Sequence, residues 1–343
     1  MSSNPANNTR PQIESVTPPG AISGGDFEIR GHGFTANGNP RVRARLGRVN
    51  ARLVVGGSRY VVARVPEDAT EGELVVENAS SASHPYECAI GLTIAENLHP
   101  VANPAVDRDG NVYTTRSGTR GEKLPVSVFK IDLNFDVKPF ISDIINPTGL
   151  IFDTEGTLLI SGRNNGTIYA VTRGGQMEVY AEGMGVATGL ALDQDGNLYV
   201  GDRTGTIFKI SPDRQIYVFA TMEPSISAYH LAMGNDGFLY ASGPTTSSFD
   251  SVYRISAKGE VEVYYRGFGR PQGLVFDENH NLYVAASHAG RKGVFCITAD
   301  KRLEQVISGP GIVGLAFLPT REMILATNSM IYRIDTAGWL NRK

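Results

Sequence analysis

An all-β chain in two parts is predicted, a β-sandwich followed by a six-bladed β-propeller. Three observations predict it. Residues 11–91 break into short alternating runs bounded by Gly, Pro or Asn, with no helical period between them. From about residue 92 a unit typified by Gly189–Val200 recurs to the C-terminus. Aligned on Asp193, its copies fall at Asp107, Asp153, Asp193, Gly234, Asp277 and Leu318, at intervals of 46, 40, 41, 43 and 41 residues by subtraction. A four-stranded unit of that length, repeated in tandem, is the pattern of propeller blades, each burying its faces against its neighbours.

Residues 1–10 are polar and are expected to be a disordered tail. Strands follow at Pro11–Pro18, then at Gly24–Phe34, where Phe27 and Ile29 share one face. Further alternating runs are Arg41–Leu46, Ala51–Val55, Tyr60–Val65 and Glu73–Glu77. The stretch Gly31–Ala36 formally matches a dinucleotide fingerprint. That motif needs a helix to follow, so that its amides meet a pyrophosphate. Asn37-Gly38-Asn39-Pro40 follows instead, and the match is set aside. Arg41, Arg43 and Arg45 alternate on one strand and read as a solvated outer face.

The series P-x-I-x-x-V-x-P from Pro11, G-G-x-x-x-I-x-G-x-G-F from Gly24, then Val65-Pro66 and Gly72–Val76, resembles the IPT/TIG family of immunoglobulin-like domains. The resemblance spans residues 11–91. It implies an immunoglobulin-like sandwich with a spacing or binding role, open to a protein partner, and no chemistry.

In each repeat an apolar strand such as Gly149–Phe152, Gly189–Leu192 or Gly273–Phe276 leads into a polar turn and a second strand. A third strand ends near Ile-x-x-Ile, as in Ile207–Ile210, and a fourth alternates, as in Met177–Ala181. Only Asp335–Lys343 remains after the last third strand, too little for a fourth. Thr93–Leu98 lines up with Val179–Met184, so residues 92–96 are expected to close the last blade and remove an open edge. The domains are therefore drawn as 1–10, 11–91 and 92–343.

The pattern P-x-G-L-x-F-D-x-x-G-N-L-Y-V, seen here as Pro271–Val284, resembles the NHL and senescence-marker-protein/gluconolactonase superfamilies and is similar to streptogramin lyase. The resemblance implies a six-bladed ring with ligands held at one mouth of its channel. At or before the first-strand glycines stand Asn103, Thr148, Thr188, Tyr229 with His230, Gln272 and Val313. At the ends of the second strands stand Arg116, Arg163, Asp202 with Arg203, Ser287 with His288, and Asn328. Gluconolactonases hold a divalent metal through carboxylates and an Asn at the strand starts. None of the matching residues here is acidic, so calcium or magnesium is disfavoured, no metal ligand is assigned, and the cofactor is left unknown. Streptogramin lyase places a His where His230 stands. Its acid is missing from that repeat, which offers Ser242-Gly243-Pro244. Asp202 is the substitute, and a His–Asp pair acts as a general base. The catalytic candidates are accordingly His230, Asp202 and His288.

The ligand-binding candidates are Arg116, Arg163, Arg203, Asn103, Tyr229, Gln272 and Asn328. Three arginines at matching places on successive repeats favour a carboxylate or phosphate, or pair with loop acids. Two functions follow from this mouth: binding of a small, anionic molecule or peptide, or a lactonase-like hydrolase or lyase. A third is a scaffold for partner proteins. The turn aspartates Asp109, Asp153, Asp193, Asp195 and Asp277 belong to the opposite mouth and are explained by turn chemistry.

Composition narrows the field. A net charge of -3 and the lack of a basic stripe with interleaved aromatics give no footprint for nucleic acid. No apolar run reaches membrane-spanning length, and the N-terminus has no basic start or apolar stretch of a secretory leader, so a cytoplasmic location is expected. Cys88 and Cys296 are far apart and read as small hydrophobes.

Overall fold

The computed structural model describes residues 10–35, 41–118, 122–247 and 249–340. The expected tail lies outside them except Arg10, whose Nε donates to Ala82 O at 2.8 Å. Ala36–Pro40, on which the fingerprint reading turned, also lies outside them.

The first ninety residues supply β1 (Gln12–Thr17), β2 (Gly20–Ala21), β3 (Asp26–His32), β4 (Arg43–Leu46), β5 (Val49–Gly56), β6 (Tyr60–Arg64), β7 (Glu73–Glu77), β8 (Tyr86–Glu87) and β9 (Ala89–Ile90). Seven of them form one sheet in the order β1-β3-β6-β5-β4-β7-β8. Period-two alternation sends Phe27, Ile29, Leu46, Val61, Leu74 and Val76 into a core of its own. The expectation was an immunoglobulin-like sandwich of two facing sheets; the strands observed join into one continuous, nearly closed sheet. Val49–Ala51 of β5 pair with β4, and the remainder of β5 pairs with β6. One long strand thus carries the hydrogen bonding around the core without a break.

In the repeats, the sequence pattern D-x-x-G-N-L-Y has a direct cause. Asp107, Asp193 and Asp277 each accept, through Oδ1, the amides two and four residues on, at 2.8–3.0 Å. Oδ2 accepts the side-chain amide of the Asn four residues on and the hydroxyl of the Tyr six on, the latter at 3.1 Å. One carboxylate therefore satisfies a turn and locks the next strand to it. The third repeat shows how each sheet is layered. Its second strand, Leu198–Asp202, is buried throughout, whereas its fourth, Ile216–Thr221, is largely exposed.

Six separate four-stranded blades were the expectation; among the described residues five repeats form separate four-stranded sheets. The fifth repeat instead lies in a six-stranded sheet, extended by β2 and β9. β2 runs parallel to Leu303–Ser308, with Gly20 opposite Ile307 and Ala21 opposite Ser308, and β9 runs parallel to β2. Ala21 packs into the N-terminal core, and the next residue, Ile22, packs among Tyr283, Val294, Ile307 and Trp339. Alternation along one short extended segment thus joins two cores. Ile22 N also donates to Ser308 O at 3.0 Å, and Arg291 meets Glu28 at 2.5 Å.

At the other end of the array, β10 (Leu92–Glu96) pairs antiparallel with Met330–Ile334. Each repeat's first strand touches those of its two neighbours, and the sixth repeat's touches the first's. The sheets therefore stand around a common axis as in a propeller. No helix among the described residues is long and apolar enough to cross a membrane.

Candidate functional site

First-strand starts and second-strand ends meet at one mouth of the channel, as the pairing of Ala187 with Asp202 shows. The Asp turns lie at the other. Two arginines at the first mouth are structurally equivalent. Arg163 N donates to Asn146 O and Arg203 N to Val186 O, both at 3.1 Å. Arg203 is held by the carbonyls of Ser225 and Ile226, at 3.3 and 3.2 Å. Arg163 is half-buried and has no acidic partner among the described residues. Burial, and then the positive charge of Arg203, lowers its pKa. Two neighbouring guanidinium groups without a counter-charge are an electrostatic cost that an anion relieves.

Arg116 does not match them. It stands nine residues after Asp107 (116 − 107), while Arg163 and Arg203 stand ten after Asp153 and Asp193. It occupies the place of Gly162 and Asp202, and its amide pairs instead with Ser127 O at 2.9 Å. An offset of one residue in a strand reverses the side.

Asp202 is buried, and its carboxylate accepts the amides of Val186 at 2.8 Å and Thr204 at 3.2 Å, together with the Thr204 hydroxyl. Among the described residues no hydrogen bond or ion pair joins it to His230. His288 donates from Nδ1 to Gly267 O at 3.1 Å, and its ring packs on Phe268 and Phe295. Among the described residues no hydrogen bond links any two of the three catalytic candidates. Asn328 is exposed, and its carbonyl accepts His99 Nδ1 at 3.0 Å.

The residues before the glycines hold the ring together. Thr188 accepts Tyr229 N at 3.1 Å on its hydroxyl and Ser161 Oγ at 2.5 Å on its carbonyl. The carbonyl of Gln272 accepts the Ser242 hydroxyl, and that of Val313 accepts Gly273 N at 3.0 Å. Tyr229 is buried, its hydroxyl donating to Glu223 O.

Four residues before each aligned turn position, 149, 189, 273 and 314 are glycine, while the first repeat has Asn103 and the fourth His230. A Cβ on Gly149, Gly189 or Gly314 would lie 2.2–2.4 Å from a backbone oxygen of the neighbouring repeat. Neighbouring first strands thus approach closely at these three positions of this belt, and only glycine fits at them. Asn103 donates to Leu274 O at 2.9 Å and accepts Leu315 N at 3.1 Å, tying the first repeat to the fifth and sixth. His230 is buried, and its Nε2 has no hydrogen-bond partner among the described residues.

On the turn side of this belt the channel opens into a cavity of about 590 Å³ lined by the first strands of all six repeats. Of the site candidates, Asn103 and His230 line it. The spacing of four before the turn was the signal in the sequence that singles these two out. Among the described residues no group of three or more His, Cys, Asp or Glu side chains is placed to hold a metal ion.

Burial pushes the His230 imidazole down from 6.5 to about 4. The unfolded chain then takes up a proton between those values that the folded chain refuses. Stability is complete above the unfolded value and falls as pH drops toward about 4, by roughly 3 kcal/mol in all. Urea unfolding of wild type and His230→Gln from pH 7.5 to 4.5 checks this. Wild type is expected to lose more stability on acidification, and parallel profiles would contradict it.

No protein-family model and no curated protein matches the sequence. Solved structures do. An auxiliary nutrient binding protein from Bacteroides ovatus is similar over 97% of this chain and 99% of that one, with 14% identity and a TM-score of 0.56. A gluconolactonase from Xanthomonas campestris matches 72% of this chain and 89% of its own, with 16% identity and a TM-score of 0.60. A catalytically inactive virginiamycin B lyase from Staphylococcus aureus, crystallised with quinupristin, matches 97% and 96%, with 14% identity and a TM-score of 0.51. The chain has a propeller-like all-β fold. At these identities the likeness concerns the fold.

Proposed function

We propose that this chain binds a small anionic molecule, a carboxylate or phosphate free or on a peptide, at the mouth bearing Arg163 and Arg203. The observation that carries the reading is the pair of adjacent guanidinium groups at equivalent places on consecutive repeats, one of them without an acidic partner among the described residues. Similarity to a nutrient binding protein along nearly the whole chain supports a binding role. In this reading the six repeats act as one six-bladed ring, and residues 11–91 are an IPT/TIG-type module carried beside it. A hydrolase or lyase has less support, since Asp202 is occupied by Val186 and Thr204.

Thermal unfolding with citrate and with inorganic phosphate tests the proposal. Either anion is expected to raise the melting temperature of wild type by linkage. Arg163→Ala with Arg203→Ala removes charge-assisted hydrogen bonds and is expected to weaken binding about a hundredfold or more, at roughly 1.5–3 kcal/mol for each. An undiminished anion response in the double variant would refute it.

A further inference from the structure

The turn-side cavity is at the opposite end of the channel from the arginine mouth, and nothing above uses it. Each repeat's first strand is the terminal strand of its sheet, so its free edge turns alternate N–H and C=O groups toward the axis. A wall of this kind offers donors and acceptors together. Its volume, about 590 Å³, is that of a small-molecule site.

The charged side chains at the cavity are already engaged. Asp277 is committed to its own turn, and Glu278 is paired with Arg321 at 2.7 Å. Asn235 is engaged with His280 at 3.1 Å. An anion entering this space would meet carboxylates, and a cation would lose its hydration to oxygens that already accept hydrogen bonds. His230, at the belt, presents a buried ring nitrogen without a partner among the described residues. A buried polar atom left in that state destabilises the fold, a loss that a ligand hydroxyl on the ring offsets.

We infer that the turn-side cavity is a second binding site, for a neutral polyhydroxylated molecule of sugar or polyol size, with the His230 imidazole as the anchor of one hydroxyl. Hydroxyl groups both donate and accept, and so match the mixed edges of the strands as well as the neutral imidazole.

Calorimetric titration of the full chain with sorbitol and with D-glucose tests this. Saturable binding of at least one is expected, unaffected by excess citrate, which is the probe for the arginine mouth. His230→Phe is expected to weaken it tenfold or more. Should that variant not fold, ¹⁵N spectra of the wild-type histidine rings decide the matter, with the His230 nitrogen signals shifting as the polyol is added. Absence of saturable binding by both probes, binding that His230→Phe leaves intact, or binding with unmoved His230 signals would each overturn the inference. Displacement of the polyol by citrate would overturn it too, and would place the polyol at the mouth without affecting the anion proposal.

Discussion

A chain beginning at His99 is expected to melt about 10 °C or more below one beginning at Gly91. The two differ by Gly91, β10 and the two residues after it. β10 pairs with Met330–Ile334, and Ile94, Ala95 and Leu98 are buried with Val112, Ile131, Val313, Ile324 and Ile331. Burial of Ile94 and Leu98 contributes roughly 1.5–3 kcal/mol each. In a domain of this size each kcal/mol moves the melting temperature by about 2–4 °C. The shorter chain also leaves the edge of Met330–Ile334 open, inviting association. Differential scanning calorimetry of the two chains, with Ile94→Ala in the full chain as a milder counterpart, gives the answer. Equal melting temperatures would show that β10 does not hold the ring shut.

Ile22→Asp is expected to uncouple the N-terminal sheet from the repeats. Ile22 is 1% exposed and packs among Tyr283, Val294, Ile307 and Trp339, while the core of the N-terminal sheet is built from other residues. A carboxylate there loses the packing and is left without a partner in an apolar cluster, costing about 3–5 kcal/mol. Because the penalty falls on the junction, wild type is expected to unfold in one calorimetric transition and the variant in two. Limited proteolysis is expected to cut the variant near residue 91. A single transition, lowered but undivided, would show that the junction holds without the packing of Ile22, through β2, β9 and the Arg291–Glu28 pair.

Parts of this fold were legible because their causes are local. The spacing of Asp, Asn and Tyr in each repeat prescribes the turn, since one carboxylate reaches partners two, four and six residues on. The place of residues 92–96 was legible as well, because the last repeat lacks a strand and the segment before the first one has its pattern. The belt was half-legible: His230 and Asn103 stand where four repeats carry glycine, but only the close approach of neighbouring strands explains why.

Other features have no local signal. Gly20–Ala21 is too short to show a period, yet it extends the fifth repeat's sheet. The change of partner within β5 depends on what lies on either side of it. Arg116 fell out of register with Arg163 and Arg203 by one residue, a difference small in sequence and complete in orientation. Asp202 looked available as an acid until Val186 and Thr204 were found on it.

The sequence by itself determined the repeating unit, its turns and the pieces that complete it, since those hydrogen bonds span only a few residues. Tertiary structure alone decided which buried groups are already satisfied, which charges face one another and which strands receive outside partners. Those outcomes depend on residues as far apart as Ile22 and Ser308, whose meeting is set by packing around the axis.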